Sequence, residues 1–156
     1  MRKQVPILTN NLTKNEFLQL IPDCFQSVIF GTVDCHGNPI TNVADIELVD
    51  QEKLIFSTTY QKDFYHRLKA HPRISITALL GKETMESVGL TLIGIATEVD
   101  RRYLDQIFAA RPEMKQIAGE NFSERREILR PFAITPLAGN IYDLRQSPIF
   151  QLKINF

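Results

Sequence analysis

The feature that most constrains the fold is a series of short apolar segments, separated by polar turns, between residues 27 and 59. Residues 27–34 (SVIFGTVD) are rich in β-branched and aromatic side chains, which favour strands. Residues 35–39 (CHGNP) have the composition of a turn, and residues 40–50 (ITNVADIELVD) loosely alternate between apolar and polar. Another turn precedes a third strand, LIFSTT, at 54–59. Three strands joined by short turns predict an antiparallel meander.

Helical patterns flank this meander on both sides. A capping box at 13–16 predicts a first helix, because its threonine and glutamate can satisfy backbone N–H groups at the helix start. A short helix begins at residue 61 or 62 and ends before Pro72, and Asp63 and Arg67 can pair across one of its turns. Further strands are predicted at 73–81, 87–100, 131–144 and 148–156, and short helices between 101 and 130.

These elements predict a single domain over residues 1–156. A chain of 156 residues can bury one hydrophobic core, and the sequence contains no internal repeat and no linker. The many strands with short polar connections predict a mainly β, α+β fold. We expect its antiparallel sheet to curl into a small barrel with short helices at its flanks.

Composition and charge exclude several classes of partner. The 18 Lys and Arg residues balance the 18 Asp and Glu residues, so no basic excess favours nucleic acid or an anionic membrane. No apolar run approaches the roughly 20 residues needed to span a bilayer, and the N-terminus has no apolar segment of signal-peptide length. We therefore expect a cytoplasmic protein with no nucleic-acid or membrane partner. Cys24, Cys35 and the three histidines lack metal-ligand spacing, so no metal site is predicted.

Hydroxyl groups and one cation cluster at the predicted connection between the third strand and the next helix. Ser57, Thr58 and Thr59 end the strand, and Lys62 follows at the helix start. The first backbone N–H groups of a helix have no partner within it and carry partial positive charge. Together with hydroxyls and a lysine, they can bind an anion such as a phosphate. The alternative is an ordinary strand end with a threonine cap and a surface lysine, and composition leaves both interpretations open.

The order of these segments resembles the pyridoxamine 5'-phosphate oxidase-like family of flavin-binding split barrels. The resemblance covers about residues 25–100 well and the remainder loosely, and KDFYHRLKAHPRIS is its most specific part. The other matching segments are FGTVDCHGNP, ITNVADIELVD and KLIFSTT, followed by GIATEV (94–99) and IYDL (141–144).

The resemblance implies a six-stranded antiparallel split β-barrel that forms a homodimer, with FMN in a groove between the two subunits. Members of the family contact the flavin through the second strand, and contact flavin and phosphate through the end of a later strand. A lysine that opens the following helix contacts the phosphate. Carried over to this sequence, the implied cofactor-binding residues are Asn42, Val43, Ala44, Ser57, Thr58, Thr59 and Lys62.

The sequence departs from the family pattern at two positions, Asn42 and Glu47. Asn42 stands where the family has a flavin-contacting arginine, so it keeps hydrogen-bonding capacity without the charge. Glu47 stands where the founding oxidase has a lysine near the phosphate, and a carboxylate there would repel the phosphate. We therefore expect Lys62, the hydroxyl groups and the helix start to bind the anion without the positive charges that the family has at positions 42 and 47.

The resemblance implies a class of reaction but not a specific substrate. It implies an FMN-dependent oxidoreductase or reductase that acts on a small-molecule substrate or NAD(P)H, and the sequence assigns neither the substrate nor a catalytic residue. Pyridoxamine phosphate oxidation itself is not expected, because the family's C-terminal Arg/His pair is missing and no histidine follows His71. The alternatives are a flavin- or haem-binding module that stores or senses its ligand without turnover, and a dimeric scaffold whose cofactor site has decayed.

Overall fold

A computed structural model describes residues 2–156, and at 117 and 118 it describes only the backbone. In it the strands form one antiparallel sheet. The strands in chain order are β1 (Ser27–Val33), β2 (Pro39–Asp45), β3 (Leu48–Asp50), β4 (Lys53–Thr59), β5 (Arg73–Leu80), β6 (Val88–Glu98), β7 (Leu129–Asp143) and β8 (Phe150–Asn155). Their order in the sheet is β2-β1-β5-β6-β7-β4-β3, with β8 paired to β7.

The two ends of this strand order are consecutive in the chain, so the sheet curls into a barrel. Only Ile46 and Glu47 separate β2, which pairs with β1, from β3, which pairs with β4. At this corner the Ile46 N–H donates to the Gln26 carbonyl and the Glu47 N–H donates to the Ile55 carbonyl. Counted as one bent strand, β2 and β3 complete a six-stranded barrel with β1, β4, β5, β6 and β7, and β8 extends the sheet beside β7.

Short helices cover the barrel. They are α1 (Lys14–Leu20), α2 (Asp63–Ala70), α3 (Tyr103–Ala110), α4 (Glu113–Ala118) and α5 (Phe122–Ile128). The predicted capping box opens α1, since Thr13 accepts from the Glu16 N–H while the Glu16 carboxylate accepts from the Thr13 N–H. A π-helical turn at Ile21–Phe25, which contains Pro22, continues directly from α1. Within the residues described, no helix has the length and apolar character needed to cross a bilayer.

Two groups of apolar side chains form on the two faces of β4. Leu54 and Phe56 point into the barrel and join its core, whereas Ile55 points outward and packs with residues of α3. The barrel core also includes Phe64 of α2. This helix therefore covers one open end of the barrel, which we call the barrel mouth. The prediction of a mainly β split barrel with flanking short helices is confirmed.

Candidate functional site

The connection from β4 to α2 places Lys62 at the start of the helix, as the sequence predicts. Lys62 is the N-cap residue, its backbone is extended (φ −86°, ψ 144°), and its own N–H donates to the Thr59 carbonyl at 3.2 Å. No side chain caps this helix. The side chain of Lys62 is exposed, so its ammonium group is accessible to a ligand.

The three hydroxyl residues of β4 do not share one face. Side chains alternate along a strand, and Thr58 lies on the same side as Phe56, where it is only 5% exposed. Ser57 and Thr59 face the opposite side and are half-buried. Thr59 is therefore the hydroxyl residue of this strand that shares a cavity with Lys62.

Two cavities meet at Lys62. The first, of about 450 Å³, is lined by Asn42, Lys62, Asp63 and Arg67, among others. The second, of about 390 Å³, lies between the β4–α2 connection and the helices α3, α4 and α5. Its lining residues are Thr59, Gln61, Lys62, Phe108, Met114, Phe122, Arg125, Arg126, Ile128 and Leu129.

The predicted residues of β2 point in two directions. Asn42 lies opposite Phe30 of β1 and faces the barrel mouth beside α2. Ala44 packs against the barrel core. Val43 faces outward and is 72% exposed. The structure thus brings Asn42 and Lys62 to one cavity and leaves Val43 on the outer face of the sheet.

Arg67 is a site residue that the sequence analysis missed. Its Nε donates to Thr32 Oγ1 at 3.0 Å, and its Nη2 donates to Asn42 Oδ1. The predicted pair of Asp63 with Arg67 is not formed, because the guanidinium turns to the barrel mouth instead. A signal was present in the sequence: Arg67 is three residues after Phe64, so it borders the buried face of α2.

A polar network holds α2 against the sheet on its other side. Tyr65 Oη donates to Glu98 of β6 at 2.8 Å, and Lys69 Nζ lies 3.0 Å from the same carboxylate. The hydrogen bond to Glu98, more than burial, raises the pKa of Tyr65 above its usual value. These contacts give Tyr65 a positioning role for α2, and His66 is exposed beside it.

Glu47 lies away from the β4–α2 connection. Its N–H pairs with Ile55, which is four residues and therefore about 13 Å along β4 from Thr59. Its side chain is 8% exposed, and its Oε2 lies 3.6 Å from Arg111 Nε. Burial first, and then the nearby Asp45 carboxylate, raise the pKa of Glu47 to about 7. The structure thus places Glu47 at the barrel corner beside Arg111, and the repulsion of a phosphate by Glu47 stays a prediction.

Replacing Glu47 with glutamine is expected to stabilise the protein at alkaline pH. Because its pKa rises from 4.5 to about 7 on folding, its contribution to stability is full below pH 4.5 and is lost as the pH rises through 7. The variant should match the wild type at about pH 4 and exceed it at about pH 8 by up to about 3 kcal/mol. Urea denaturation at both pH values measures this, with the exposed Glu124→Gln, on a residue that does not act on the pKa of Glu47, as control. A variant less stable at alkaline pH would contradict it.

The outer face of the sheet carries exposed apolar side chains next to Val43. Ile29 of β1 lies directly opposite Val43 on one side and Thr77 of β5 on the other. Leu79 and Ile93 continue this surface along β5 and β6, and they are 61% and 44% exposed. We call Ile29, Val43, Leu79 and Ile93 the outer apolar face.

A third cavity lies on the other side of Arg67. It has a volume of about 460 Å³, and its lining includes Cys35, His66, Arg67 and His71. In the part of the chain that the structure describes, no three His, Cys, Asp or Glu side chains come together as a metal site.

Comparison with known proteins identifies relatives of this chain. The model of the pyridoxamine 5'-phosphate oxidase family matches residues 14–138. Among curated protein sequences, none matches. Among solved structures, an FMN-binding, pyridoxamine 5'-phosphate oxidase-related protein from Nostoc punctiforme is 17% identical with a TM-score of 0.61, over 83% of this chain and 81% of that one.

Two solved structures of haem proteins are also similar. A haem-binding protein from Mycobacterium smegmatis is 14% identical with a TM-score of 0.70, and the match covers 92% of this chain and 58% of that one. The haem storage protein of Vibrio cholerae is 22% identical with a TM-score of 0.57, over 78% of this chain and 86% of that one. At these identities the likeness establishes the fold alone.

Proposed function

The chain belongs to the pyridoxamine 5'-phosphate oxidase family, and from this premise we propose that it binds FMN and acts as an FMN-dependent oxidoreductase or reductase on a small molecule. The observation that carries the proposal is the cavity at the barrel mouth, where Lys62 and Asn42 lie beside the start of α2. An ammonium group, an amide and the free N–H groups of a helix start are donors suited to a phosphate monoester. The residues present therefore fit the phosphate of FMN.

A bound flavin supplies hydride or electron transfer itself, and the protein supplies position and exclusion of water. In this chain, Lys62 would hold the phosphate, while Tyr65 and Lys69 fix α2 against Glu98 and so keep the phosphate site in place. The aromatic and apolar lining of the cavity between α3, α4 and α5 offers room for a substrate beside Thr59. The electron donor that we propose to test is NAD(P)H.

Replacing Lys62 with alanine is expected to weaken FMN binding about tenfold or more, since a charge-assisted hydrogen bond contributes about 1.5–3 kcal/mol. Titration of the apoprotein by quenching of flavin fluorescence measures the change. The exposed Lys82, which lies in the connection after β5, gives the matched control Lys82→Ala, for which no change is expected. Equal affinities for the wild type and Lys62→Ala would remove Lys62 from the site.

Turnover has a separate test. The wild-type protein loaded with FMN should lose its flavin absorption when NAD(P)H is added without oxygen, and regain it when air is admitted. A loaded protein that no nicotinamide reduces would retain the cofactor proposal and contradict this choice of electron donor.

We also propose that the protein is a homodimer that pairs through the outer apolar face, with the cofactor in a groove between subunits. Contiguous exposed apolar side chains on a sheet are unfavourable in water and typical of protein interfaces. The outer apolar face includes Val43, which is next to Asn42 in β2, and Asn42 lines the cavity at Lys62.

Replacing Ile93 with glutamate is expected to convert this dimer to a monomer, because a carboxylate would be buried without a partner in the interface. Sedimentation velocity measures the change in mass, and FMN affinity should fall with it. Ile149→Glu is the control, since Ile149 is also exposed (55%) but precedes β8, outside the outer apolar face. A variant that remains dimeric would place the interface elsewhere.

A second candidate function is haem binding without turnover. The cavity lined by Cys35, His66 and His71 favours it, because histidine and cysteine are common axial ligands of haem iron. Addition of haemin to the apoprotein would then give a sharpened Soret band that His66→Ala or His71→Ala removes. Absorption of the purified protein distinguishes the two candidates, since flavin and haem spectra differ.

A further inference from the structure

Arg67 occupies an unusual electrostatic position at the barrel mouth. It is half-buried, and its two hydrogen bonds go to the neutral side chains of Thr32 and Asn42. In the described part of the chain, no carboxylate lies within ion-pair distance of its guanidinium. Its full positive charge is therefore fixed in place and not neutralised by direct contact.

The two hydrogen bonds to Thr32 and Asn42 orient the guanidinium but use only two of its N–H groups. Thr32 is 2% exposed, and its hydroxyl donates to the Ile40 carbonyl while it accepts from Arg67 Nε. Asn42 fixes Nη2. An arginine has five N–H groups, so the remaining three have no hydrogen-bond partner among the residues that the structure describes.

The charges around this cavity favour an anion. Lys62 and Arg67 both line it, and Asp63 is the acidic residue in the same lining. Asp34 lies close enough for the charge of Arg67 to help lower its pKa, but hydrogen bonds from the Asn38 backbone and side chain are the larger causes. Two cations of α2, Lys62 at its N-cap and Arg67 five residues later, line the same cavity and can bind one tetrahedral anion.

We propose that Arg67 is an anion-binding residue that contacts the phosphate of the cofactor, with Thr32 and Asn42 as its positioning residues. This inference rests on the proposed binding of FMN. The positive charge that Asn42 lacks then comes from α2, five residues after Lys62. Because the guanidinium is held at two points, little side-chain freedom is lost when the phosphate arrives.

The test compares FMN with riboflavin, which has the same ring and ribityl chain without the phosphate. Replacing Arg67 with alanine is expected to weaken FMN binding roughly tenfold or more and to leave riboflavin binding within about twofold. Fluorescence titration of both ligands gives the ratio of affinities for each variant. This ratio separates a lost phosphate contact from a general disturbance of the site, which would weaken both ligands equally.

A second pair of variants tests the position of the charge. Asn42→Arg combined with Arg67→Ala is expected to regain much of the lost preference for FMN, since residue 42 directly contacts the guanidinium in the wild type. Arg102→Ala is the control for loss of one positive charge, because Arg102 is exposed beyond the end of β6. It should change neither affinity.

The outcomes separate the two proposals. Wild-type protein that binds neither FMN nor riboflavin would overturn the proposed function itself. Wild-type protein that prefers FMN, with the same preference kept in Arg67→Ala, would overturn only the role of Arg67. An equal loss of both ligands in Arg67→Ala would also overturn it, because Arg67 would then act on the shape of the site and not on the phosphate.

Discussion

Replacing Phe56 with alanine is expected to lower the free energy of unfolding by about 3–5 kcal/mol, the range typical of a buried phenylalanine. Phe56 is fully buried and lies at the centre of an aromatic cluster in the barrel. Its ring centroid is 4.8 Å from that of Phe30, 5.5 Å from that of Phe132 and 6.2 Å from that of Phe64. The cavity left by its removal would therefore be bordered by three rigid rings, which cannot easily collapse into it.

This substitution should also affect the candidate site, because Phe56 and Phe64 join β4 to α2. We expect weaker FMN binding in Phe56→Ala than in the wild type, even at temperatures where the variant is folded. Urea denaturation followed by circular dichroism gives the stability. Phe156→Ala is the control, and it should cost less, because Phe156 is partly exposed and its ring packs only at the edge of the core, against Phe17. A loss below about 1 kcal/mol would mean that the four rings do not pack as one unit.

Replacing Asp143 with alanine is expected to cost about 3–5 kcal/mol, because removal of one partner leaves a partly buried arginine without its counter-charge. Asp143 is 0% exposed at the end of β7. Its carboxylate accepts from Arg145 Nε at 2.8 Å and Nη2 at 2.7 Å, and from Gln146 Nε2 at 3.1 Å. It therefore organises the turn that follows β7.

The same turn fastens the N-terminal segment to the barrel. Arg145 donates to the carbonyl groups of Val5 and Pro6, and Gln146 donates to that of Leu8. Loss of Asp143 should thus release residues before α1 as well as the turn. Faster amide exchange and proteolysis in the N-terminal segment of Asp143→Ala would accompany the loss of stability.

The contribution of Asp143 should depend on pH. Hydrogen bonds from the Arg145 side chain, the first cause, lower the pKa of Asp143 below its usual 3.8. Its stabilisation is thus present above pH 3.8 and lost as the pH falls through the depressed folded-state pKa. The difference between wild type and Asp143→Ala should shrink only in strong acid. Asp105→Ala, which breaks the exposed pair with Arg126, is the control and should cost under about 1 kcal/mol.

Several parts of the fold could be read from local sequence. The capping box at Thr13 and Glu16, the strand patterns and the stop before Pro72 all act through neighbouring residues, so the sequence displays them directly. The bend between β2 and β3 was not visible in this way. Residues 40–50 have one continuous strand-like pattern, and the chain breaks it at Ile46 only because the barrel must close there.

The candidate site likewise has features that the sequence predicted and features that only the tertiary structure shows. The sequence and its family resemblance identified Lys62, Asn42 and the end of β4 as one region, and the structure brings Lys62 and Asn42 to one cavity. Strand alternation turns Thr58 into the barrel and leaves Thr59 toward the helices, a separation that depends on which face of β4 is core. Whether these residues bind FMN stays a prediction.

The sequence by itself determined the class of fold and the place of the strand-to-helix connection, because hydrophobic periodicity and capping act over a few residues. Only the tertiary structure decided where the charges lie. Glu47 is buried near Arg111, a contact that the sequence did not predict. Arg67 was expected to pair with Asp63 and instead lies against Asn42. Such placements depend on contacts between residues that are distant in the chain, such as Arg67 with Thr32, and no local pattern encodes them.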